Sequence, residues 1–220
     1  MDVEQAMNTE ELRGRFLPHT RKAYQLLPAH DRPRILDIGC GSGLQTIELA
    51  RLGQGEVVGF DPDEAALSRL RQRVEQAGLS SRIQVVQASM YDTGFDDAGF
   101  DILWEEGVLH LLDSSLSLPE CRRLLKPDGF LVMHETLEWF DGVREKLSKY
   151  GFAFRDQHLL PKNYWWTDYG APLEERIIEF RKTHGAAAES AELSRHESDV
   201  AWMKKAENQL DCGFFIVQAR

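Results

Sequence analysis

The chain has 220 residues, a length that suits one domain with a substantial core. Its 42% hydrophobic and 28% charged residues are typical of a globular protein, and no apolar run approaches the length of a membrane span. A net charge of −10 disfavours nucleic acid as a partner, because such binding depends on Lys and Arg neutralising phosphates. The three scattered cysteines fit neither a disulfide framework nor a zinc cluster, and the acidic N-terminus is unlike a secretory signal. We therefore expect a cytoplasmic protein without a metal site.

Apolar spacing predicts a helix near the start of the chain, from about Glu10 to Leu27. Asn8 and Glu11 have the spacing of a capping box, and Pro18 is expected to kink this helix or split it in two. Five strands are predicted next: Arg34–Ile38, Glu56–Phe60, Ile83–Gln87, Asp101–Trp104 and Phe130–Glu135. Helices are expected between and after them: from a glycine-rich loop to Gly53, Pro62–Ala77, Leu118–Leu125 and Glu138–Tyr150.

The C-terminal third is predicted to contain the strand Phe152–Leu160, the helices Pro172–His184 and Glu189–Gln209, and the last strand Gly213–Gln218. Gly185–Ala188 is at most a short helix junction. Strands that alternate with helices favour right-handed crossovers and an α/β architecture with a mostly parallel sheet. We expect one domain over residues 1–220, with an N-terminal helical segment at 1–30 and a helical insertion at 161–210 that is a candidate lid.

The most informative segment runs from Ile35 to Ala50. It is typical of a buried strand, a turn that contains Gly39, Gly41 and Gly43, and the first turns of a helix. Glycines let a ligand approach the backbone, and the start of a helix offers unpaired N–H groups to an anion. The next strand leads into Asp61, roughly 20 residues after the loop, where an acid can hold both ribose hydroxyls. The loop and the acid together predict a nucleotide-type cofactor site.

Each of these features also has a purely structural interpretation. The three glycines could form only a tight turn, and Asp61 with Glu64 could cap the next helix. Cys40 is better explained as a small buried residue than as a nucleophile, because no basic surroundings are evident. The loop does not fit the dinucleotide fingerprint G-x-G-x-x-G, since Leu44 occupies its final position.

With Asp37 in the strand and Cys40 in the loop, the glycines resemble motif I of class I S-adenosylmethionine-dependent methyltransferases. The resemblance continues through Phe100–Leu103 and through Arg122–Phe130, which is similar to the family's R-x-L-K-P-G-G pattern. Leu160–Arg176 is similar to a bacterial and archaeal subgroup near the ubiquinone-type (type 11) enzymes. The resemblance implies a Rossmann-like, doubly wound sheet with an antiparallel last strand after the helical insertion.

The same resemblance implies a methyltransferase that uses S-adenosylmethionine and needs no metal. The cofactor-binding residues that it implies are Asp37, Gly39, Cys40, Gly41, Gly43, Asp61, Pro62, Ser89, Met90 and Glu105. Ser89 departs from the family, which usually has an acid there for the adenine amino group. We expect Ser89 to hydrogen-bond adenine and Met90 to pack on its face, with Asp92 as an alternative partner.

The candidates for a catalytic general base are Glu106, His110 and Glu135, near the carboxyl edge where open α/β sheets bind ligands. His134 is a further candidate for substrate contact. The structural alternatives are a solvated acidic pair at Glu105 and Glu106, and a His110 that only packs. A base is needed only if the acceptor carries a proton that must leave. An acidic cavity at Glu105 and Glu106 would favour an amine or cationic acceptor.

DNA methyltransferases that modify amino groups share a [DNS]-P-P-[YFW] tetrapeptide after strand four, and cytosine-C5 enzymes have a Pro-Cys pair there. Trp104–Gly107 matches neither, which favours a small-molecule acceptor. Two other functions stay open: a module that binds S-adenosylmethionine without transferring a methyl group, and a nicotinamide-dependent oxidoreductase. Tyr164, Trp165, Trp166 and Tyr169 form an aromatic cluster that fits a core, a subunit interface in a homodimer or a substrate lid.

Overall fold

The computed structural model describes residues 2–185, 189–206 and 209–220. The chain divides into two compact units. The helical unit consists of Met1–Pro18 and Leu160–Cys212, and the sheet unit consists of His19–Leu159 and Gly213–Arg220. Every residue predicted above to bind the cofactor or to act as a base belongs to the sheet unit.

The sheet has seven strands in the order β3-β2-β1-β4-β5-β7-β6. Their bounds are β1 Ile35–Ile38, β2 Val57–Asp61, β3 Ile83–Gln87, β4 Phe100–Glu106, β5 Leu125–Thr136, β6 Phe152–Leu159 and β7 Cys212–Ala219. Neighbouring strands from β1 to β5 pair in parallel, and β6 pairs antiparallel with β7. This topology confirms the predicted doubly wound, mostly parallel α/β sheet with an antiparallel last strand.

The helices cover most of the chain between the strands. Their bounds are α1 Val3–Met7, α2 Thr9–Gly14, α3 Leu17–Gln25, α4 Leu44–Gly53, α5 Glu64–Gln76, α6 Ser114–Leu124, α7 Leu137–Arg144, α8 Ala171–His184 and α9 Ala191–Lys205. Short 3₁₀ turns occupy Leu109–Leu111 and Leu147–Tyr150, and a π-helical turn occupies Trp165–Gly170. The helix predicted at Glu138–Tyr150 is therefore two elements, α7 and a 3₁₀ turn.

The opening segment predicted from Glu10 to Leu27 is split in two, as one of the two outcomes expected from Pro18, and forms α2 and α3; α1 precedes it and was not predicted. Asn8 adopts a left-handed conformation (φ 38°) between α1 and α2 and makes no side-chain cap hydrogen bond, so the predicted capping box is absent. The later break falls at Arg15 and Phe16. Pro18 is the second residue of α3, where a helix tolerates proline because the first N–H groups have no partner within the helix.

The other boundaries differ from the predictions by a few residues. β3 and the end of α4 at Gly53 agree with the sequence, whereas β4 and β5 each extend beyond the predicted ends. Lys126–Gly129, predicted as a turn, lies within β5, where Asp128 has φ 62°. α9 begins at Ala191 because Ser190 caps it by accepting from the N–H of Leu193. Of the predicted junction Gly185–Ala188, only its first residue is among the described residues.

Alternate residues of a strand point to opposite faces of the sheet, and this separates two groups of site residues. In register, Asp37 pairs with Trp104 and Glu106 pairs with His134, so these residues share one face. Glu105 lies on the other face, with most of the apolar core. In the described part of the chain, no helix has the length and apolarity that a membrane crossing needs.

Candidate functional site

The glycine loop follows β1 at the carboxyl edge of the sheet, and two of its positions require glycine. Gly39 has φ 65° and Gly43 has φ 84°, both in the left-handed region. A Cβ at Gly43 would lie 1.9 Å from Cδ1 of Leu70, and one at Gly39 would lie 2.6 Å from Cγ2 of Val108. A Cβ at Gly41 would meet no atom within 4 Å. The crest of the loop at Gly41 therefore faces open space that a ligand can fill.

Asp61 at the end of β2 reaches back to this loop. Its Oδ2 accepts from the N–H of Gly41 at 3.0 Å, and its Oδ1 accepts from the N–H of Asp63 at 2.8 Å. The N-cap of α5 is Asp63, whose side chain accepts from the N–H of Ala65. The alternative in which Asp61 and Glu64 form the cap is therefore wrong.

Asp37 lies beneath the loop and is 3% exposed. Its Oδ2 accepts from Oγ1 of Thr46, in the first turn of α4, at 2.6 Å. Burial raises the pKa of Asp37 to about 7, against the hydrogen bond from Thr46, and the charges of Glu106 and Asp61 raise it further. A buried acid with this pKa ionises readily once a cation arrives beside it.

Glu106 lies on the same face as Asp37, at the end of β4. Its Oε1 accepts from Oγ1 of Thr20 and from Nε1 of Trp104, both at 2.9 Å, and its Oε2 accepts from Nε2 of Gln45 at 3.1 Å. Burial raises the pKa of Glu106 to about 7, although these hydrogen bonds lower it. Three acids thus surround the glycine loop, and we call them the loop acids: Asp37, Asp61 and Glu106.

Glu105 is fully buried on the opposite face. Its Oε2 accepts from the N–H groups of Val108 at 3.0 Å and Leu109 at 3.3 Å, while its Oε1 has no hydrogen-bond partner among the described residues. Burial and the neighbouring carboxylate of Glu135 raise the pKa of Glu105 well above its ordinary value. Glu105 and Glu106 therefore do not form the single acidic cavity that the sequence led us to expect.

His110 and Glu135 form a hydrogen-bonded pair on this second face. Oε1 of Glu135 accepts from the backbone N–H of His110 at 3.0 Å, and Oε2 lies 2.9 Å from Nδ1 of the imidazole. A carboxylate only accepts, so Nδ1–H donates to it and Nε2 is left with its lone pair. The hydrogen bond to Glu135 raises the pKa of His110. The Glu135 side chain is 1% exposed and that of His110 is 43% exposed, so a buried acid orients an accessible base.

Two other candidates are packed into the core. His134 is buried, and its ring stacks on Phe214 at 4.5 Å between centroids; burial lowers its pKa to about 3. Burial also raises the pKa of the Cys40 thiol, which agrees with the interpretation of Cys40 as a buried residue rather than a nucleophile. The described residues contain no group of three or more His, Cys, Asp or Glu side chains placed to hold a metal ion.

The predicted adenine contacts follow β3. Ser89 is exposed, and its Oγ accepts from the N–H of Tyr91 at 3.3 Å, whereas Met90 is 5% exposed. Pro62 is exposed as well, and its carbonyl accepts from the side-chain amide of Gln87. A groove of ≈ 500 Å³ starts here, lined by Met90, Tyr91, Asp92, Thr93, Gly94, Leu116, Glu120 and Arg123. The roles of Ser89 and Met90 at adenine stay predictions.

Three arginines face a second groove, at the opposite edge of the sheet. It has a volume of ≈ 460 Å³ and is lined by Arg32, Arg34, Gln54, Gly55, Glu56 and Arg82. Arg82 donates to the carbonyls of Ala50 and Gly55, and Arg34 donates to that of Gly99. Much of this local positive charge is thus bound to backbone carbonyls.

In the helical unit, the predicted aromatic cluster packs around Phe16. Its ring lies 5.1 Å from that of Tyr164 and 4.7 Å from that of Trp165 between centroids. The Tyr164 hydroxyl donates to the carbonyl of Arg15 at 3.0 Å, and Trp165 contacts Tyr169 edge-on. These residues form packing within the unit; the lid and the homodimer interface stay predictions.

Sequence reasoning missed the residues that hold the loop acids: Thr20, Gln45, Thr46 and Trp104. Gln45 and Thr46 follow the glycine loop directly, so polar side chains in the first turn of α4 were a readable signal. Thr20 comes from α3, and only the tertiary fold brings it to Glu106.

Comparisons with known proteins agree with this geometry. Residues 36–133 match the family model described as a methyltransferase domain (type 11). Over 132 residues the chain is 35% identical to the ubiquinone/menaquinone biosynthesis C-methyltransferase UbiE of Vibrio parahaemolyticus, covering 59% of this chain and 49% of that protein. The chain spans about half the length or less of the curated relatives it matches, from 25% to 52%.

Two solved structures have the same fold. The [4+2]-cyclase SpnF aligns with a TM-score of 0.76 at 18% identity, over 91% of this chain and 80% of that one. A SAM-dependent methyltransferase from Thiobacillus denitrificans, in complex with S-adenosylhomocysteine, aligns with a TM-score of 0.68 at 16% identity, over 92% of this chain and 91% of that one. The match to the methyltransferase-domain model over residues 36–133, together with the glycine loop, the acid after β2 and the sheet order, makes this part of the chain similar to class I S-adenosylmethionine-dependent methyltransferases.

Proposed function

We propose that this protein transfers a methyl group from S-adenosylmethionine to a small-molecule acceptor by in-line displacement. The observation that carries the proposal is the bond between Asp61 and the N–H of Gly41, with Asp37 and Glu106 beside the same loop. This arrangement offers separate partners to the sugar and to the aminoacyl end of the donor. The relative UbiE, named as a C-methyltransferase, and the neighbour that holds S-adenosylhomocysteine support the same proposal.

The residues present fit such a donor. Gly41 leaves open space at the crest of the loop, and each oxygen of Asp61 accepts only one hydrogen bond among the described residues, so both can also accept from ribose hydroxyls. The N-cap of α4, Gly43, supplies no side-chain hydrogen bond, which leaves first-turn N–H groups for a carboxylate. Asp37 and Glu106 would hold the ammonium group, and we propose Glu106 as a donor-binding residue rather than a base.

The donor supplies an electrophilic methyl group on a sulfonium, a reaction that needs no metal. The protein contributes alignment and exclusion of water, which together can lower a barrier by about 7–11 kcal/mol. We propose His110 as the general base, because its Nε2 is free to accept a proton while Glu135 holds Nδ1–H. Glu135 is buried and acts through His110.

An imidazole base suits an acceptor that loses a proton on methylation, such as an alcohol or a phenol. The prediction of an amine acceptor depended on an acidic cavity at Glu105 and Glu106. It is no longer supported, because Glu105 is buried and faces away from Glu106. Three further predictions accompany this proposal: a cytoplasmic location, a homodimer, and a lid formed by residues 161–210. Size-exclusion chromatography with light scattering tests the homodimer.

The test is a thermal-shift titration with S-adenosylhomocysteine and, in parallel, NADH. We expect only the first ligand to raise the melting temperature, because Leu44 interrupts the dinucleotide fingerprint. A shift with NADH alone would contradict the proposal. Incubation with labelled S-adenosylmethionine and a panel of phenols and alcohols then tests transfer. Glu138→Gln, at an exposed position of α7, is the control variant.

A second candidate is a protein that binds the donor without transferring the methyl group. We keep this candidate because SpnF, which has the same fold, is named as a [4+2]-cyclase and not as a methyltransferase. Binding of S-adenosylhomocysteine without label transfer to any acceptor in the panel or in a cell extract would favour this candidate.

A further inference from the structure

We propose that Glu105 is a positioning residue for His110: with Glu135 it holds three consecutive backbone N–H groups, those of Val108, Leu109 and His110, and so fixes the imidazole. The inference rests on the proposed role of His110 as a base. It gives a function to a fully buried acid on the face of the sheet opposite the loop acids, and in our proposal this role replaces the cofactor contact predicted for Glu105.

The geometry divides four donors between two carboxyl groups. Oε2 of Glu105 accepts from the N–H groups of Val108 at 3.0 Å and Leu109 at 3.3 Å. The two oxygens of Glu135 accept from the backbone N–H of His110 at 3.0 Å and from its Nδ1 at 2.9 Å. The backbone before the imidazole and the imidazole itself are thus held from the same side of the sheet.

This restraint matters because His110 lies on a short element. The 3₁₀ turn Leu109–Leu111 closes through two backbone bonds, from the N–H of Leu111 to Val108 and from that of Leu112 to Leu109. The side chain of His110 is 43% exposed, so packing restrains it little. A displacement of about 1 Å at a reacting group can reduce a rate by roughly a hundredfold. The buried carboxyl groups supply the rigidity that the turn lacks.

Glu105 and Glu135 are neighbours in one buried region, where burial and the carboxylate of Glu135 raise the pKa of Glu105. Glu105 pairs in register with Met133, two residues before Glu135, so both acids lie on the same face of neighbouring strands. Glu135 accepts the imidazole N–H, whereas Glu105 accepts two backbone N–H groups through Oε2, and its Oε1 has no partner among the described residues. The charge of Glu106, at the next position of β4, also raises the pKa of Glu105. Burial and, less strongly, the charge of Glu105 raise the pKa of the Cys121 thiol on α6.

The experiment compares Glu105→Ala with Glu105→Gln and follows the His110 imidazole by ¹⁵N NMR over pH. In the wild type we expect a pKa above that of a free histidine and the Nδ1–H tautomer. Glu105→Gln, which mimics the neutral acid, keeps the pKa of His110 within about 0.3 pH unit of the wild-type value and keeps the Nδ1–H tautomer. Glu105→Ala frees the turn, moves the measured pKa down by about 0.5–1 pH unit and mixes the tautomers.

The affinity for S-adenosylhomocysteine is the control measurement, and we expect this affinity to change less than twofold in both variants. An unchanged His110 pKa and tautomer in Glu105→Ala would overturn the inference, and so would a Gln variant that behaves like the Ala variant.

A second measurement needs no variant and applies even if Glu105→Ala fails to fold. Amide hydrogen exchange of the wild-type protein should be slow at Val108, Leu109 and His110. Fast exchange at Val108 and Leu109 would also overturn the inference. Neither measurement requires a methyl acceptor. A protein that meets both expectations but transfers no methyl group would therefore disprove the proposed function and would still show that Glu105 fixes the imidazole of His110.

Discussion

Glu105 and Glu106 are the same residue type at consecutive positions of β4, yet the two faces of the sheet give them different surroundings. Glu106 accepts from three side chains, those of Thr20, Gln45 and Trp104, beside the glycine loop. Glu105 accepts from two backbone N–H groups in the turn that carries His110. The comparison teaches how one strand can serve two roles: we propose that one face binds the ammonium group of the donor through Asp37 and Glu106, and that the other holds the base His110 in position.

The largest expected effect concerns Asp61. Asp61→Ala removes a carboxylate placed for two charge-assisted hydrogen bonds to a ribose, so we expect the affinity for S-adenosylhomocysteine to fall by about a hundredfold or more, about 3 kcal/mol. Isothermal titration calorimetry measures this change.

Asp63→Ala is the matched control, because Asp63 only caps α5. It should lower the free energy of unfolding by about 1 kcal/mol and leave the affinity unchanged. Equal affinity losses in both variants would contradict the assignment of Asp61 to the donor.

The next effect is a pH-dependent gain of stability in Glu106→Gln. Burial raises the pKa of Glu106 to about 7, whereas the unfolded chain titrates near its ordinary value. Between these two pKa values the folded protein holds a proton that the unfolded chain has lost, so the free energy of unfolding falls as pH rises through this range. Because glutamine does not ionise, the variant escapes this loss.

We expect the variant to gain about 1–3 kcal/mol over the wild type on going from pH 5 to pH 8 without ligand. Chemical denaturation at several pH values gives the difference, and the exposed Glu138→Gln should show none. A difference between Glu106→Gln and the wild type that does not depend on pH would contradict the burial of an ionisable Glu106.

A smaller effect separates the two ends of the donor. Glu106→Gln should weaken S-adenosylhomocysteine binding by about tenfold, because an ammonium–carboxylate hydrogen bond becomes a neutral one. Binding of 5′-methylthioadenosine, which lacks the aminoacyl end, should not change. In Glu105→Gln neither affinity should change, since that side chain lies on the other face. Equal weakening of both ligands in Glu106→Gln would show that Glu106 acts only through the fold.

The sequence predicted the features that depend on local pattern. β3, the glycine loop and the acid after β2 follow from apolar runs, glycine spacing and position, and the structure contains all three. The division between Glu105 and Glu106 was missed because β4 was predicted to end at Trp104, whereas the strand continues to Glu106 and so directs the two acids to opposite faces. Thr20 and Trp104 were missed for a different reason, since a polar residue in a helix and an apolar one in a strand become partners of Glu106 only through tertiary packing.

The opening segment shows another limit of sequence reasoning. No helix was predicted before Glu10, but α1 occupies Val3–Met7 and ends where Asn8 enters the left-handed region. Asparagine adopts that conformation more readily than most residues, and a preference of this size does not decide a helix boundary by itself.

The central claim is that the glycine loop, Asp37 and Glu106 bind the aminoacyl end of S-adenosylmethionine, while Asp61 binds its ribose. A calorimetric titration of the wild-type protein at pH 8 with S-adenosylhomocysteine and with 5′-methylthioadenosine tests it most directly. The account predicts one S-adenosylhomocysteine bound per chain, at least tenfold more tightly than 5′-methylthioadenosine. Equal affinities for the two compounds, or no binding of either, would contradict it.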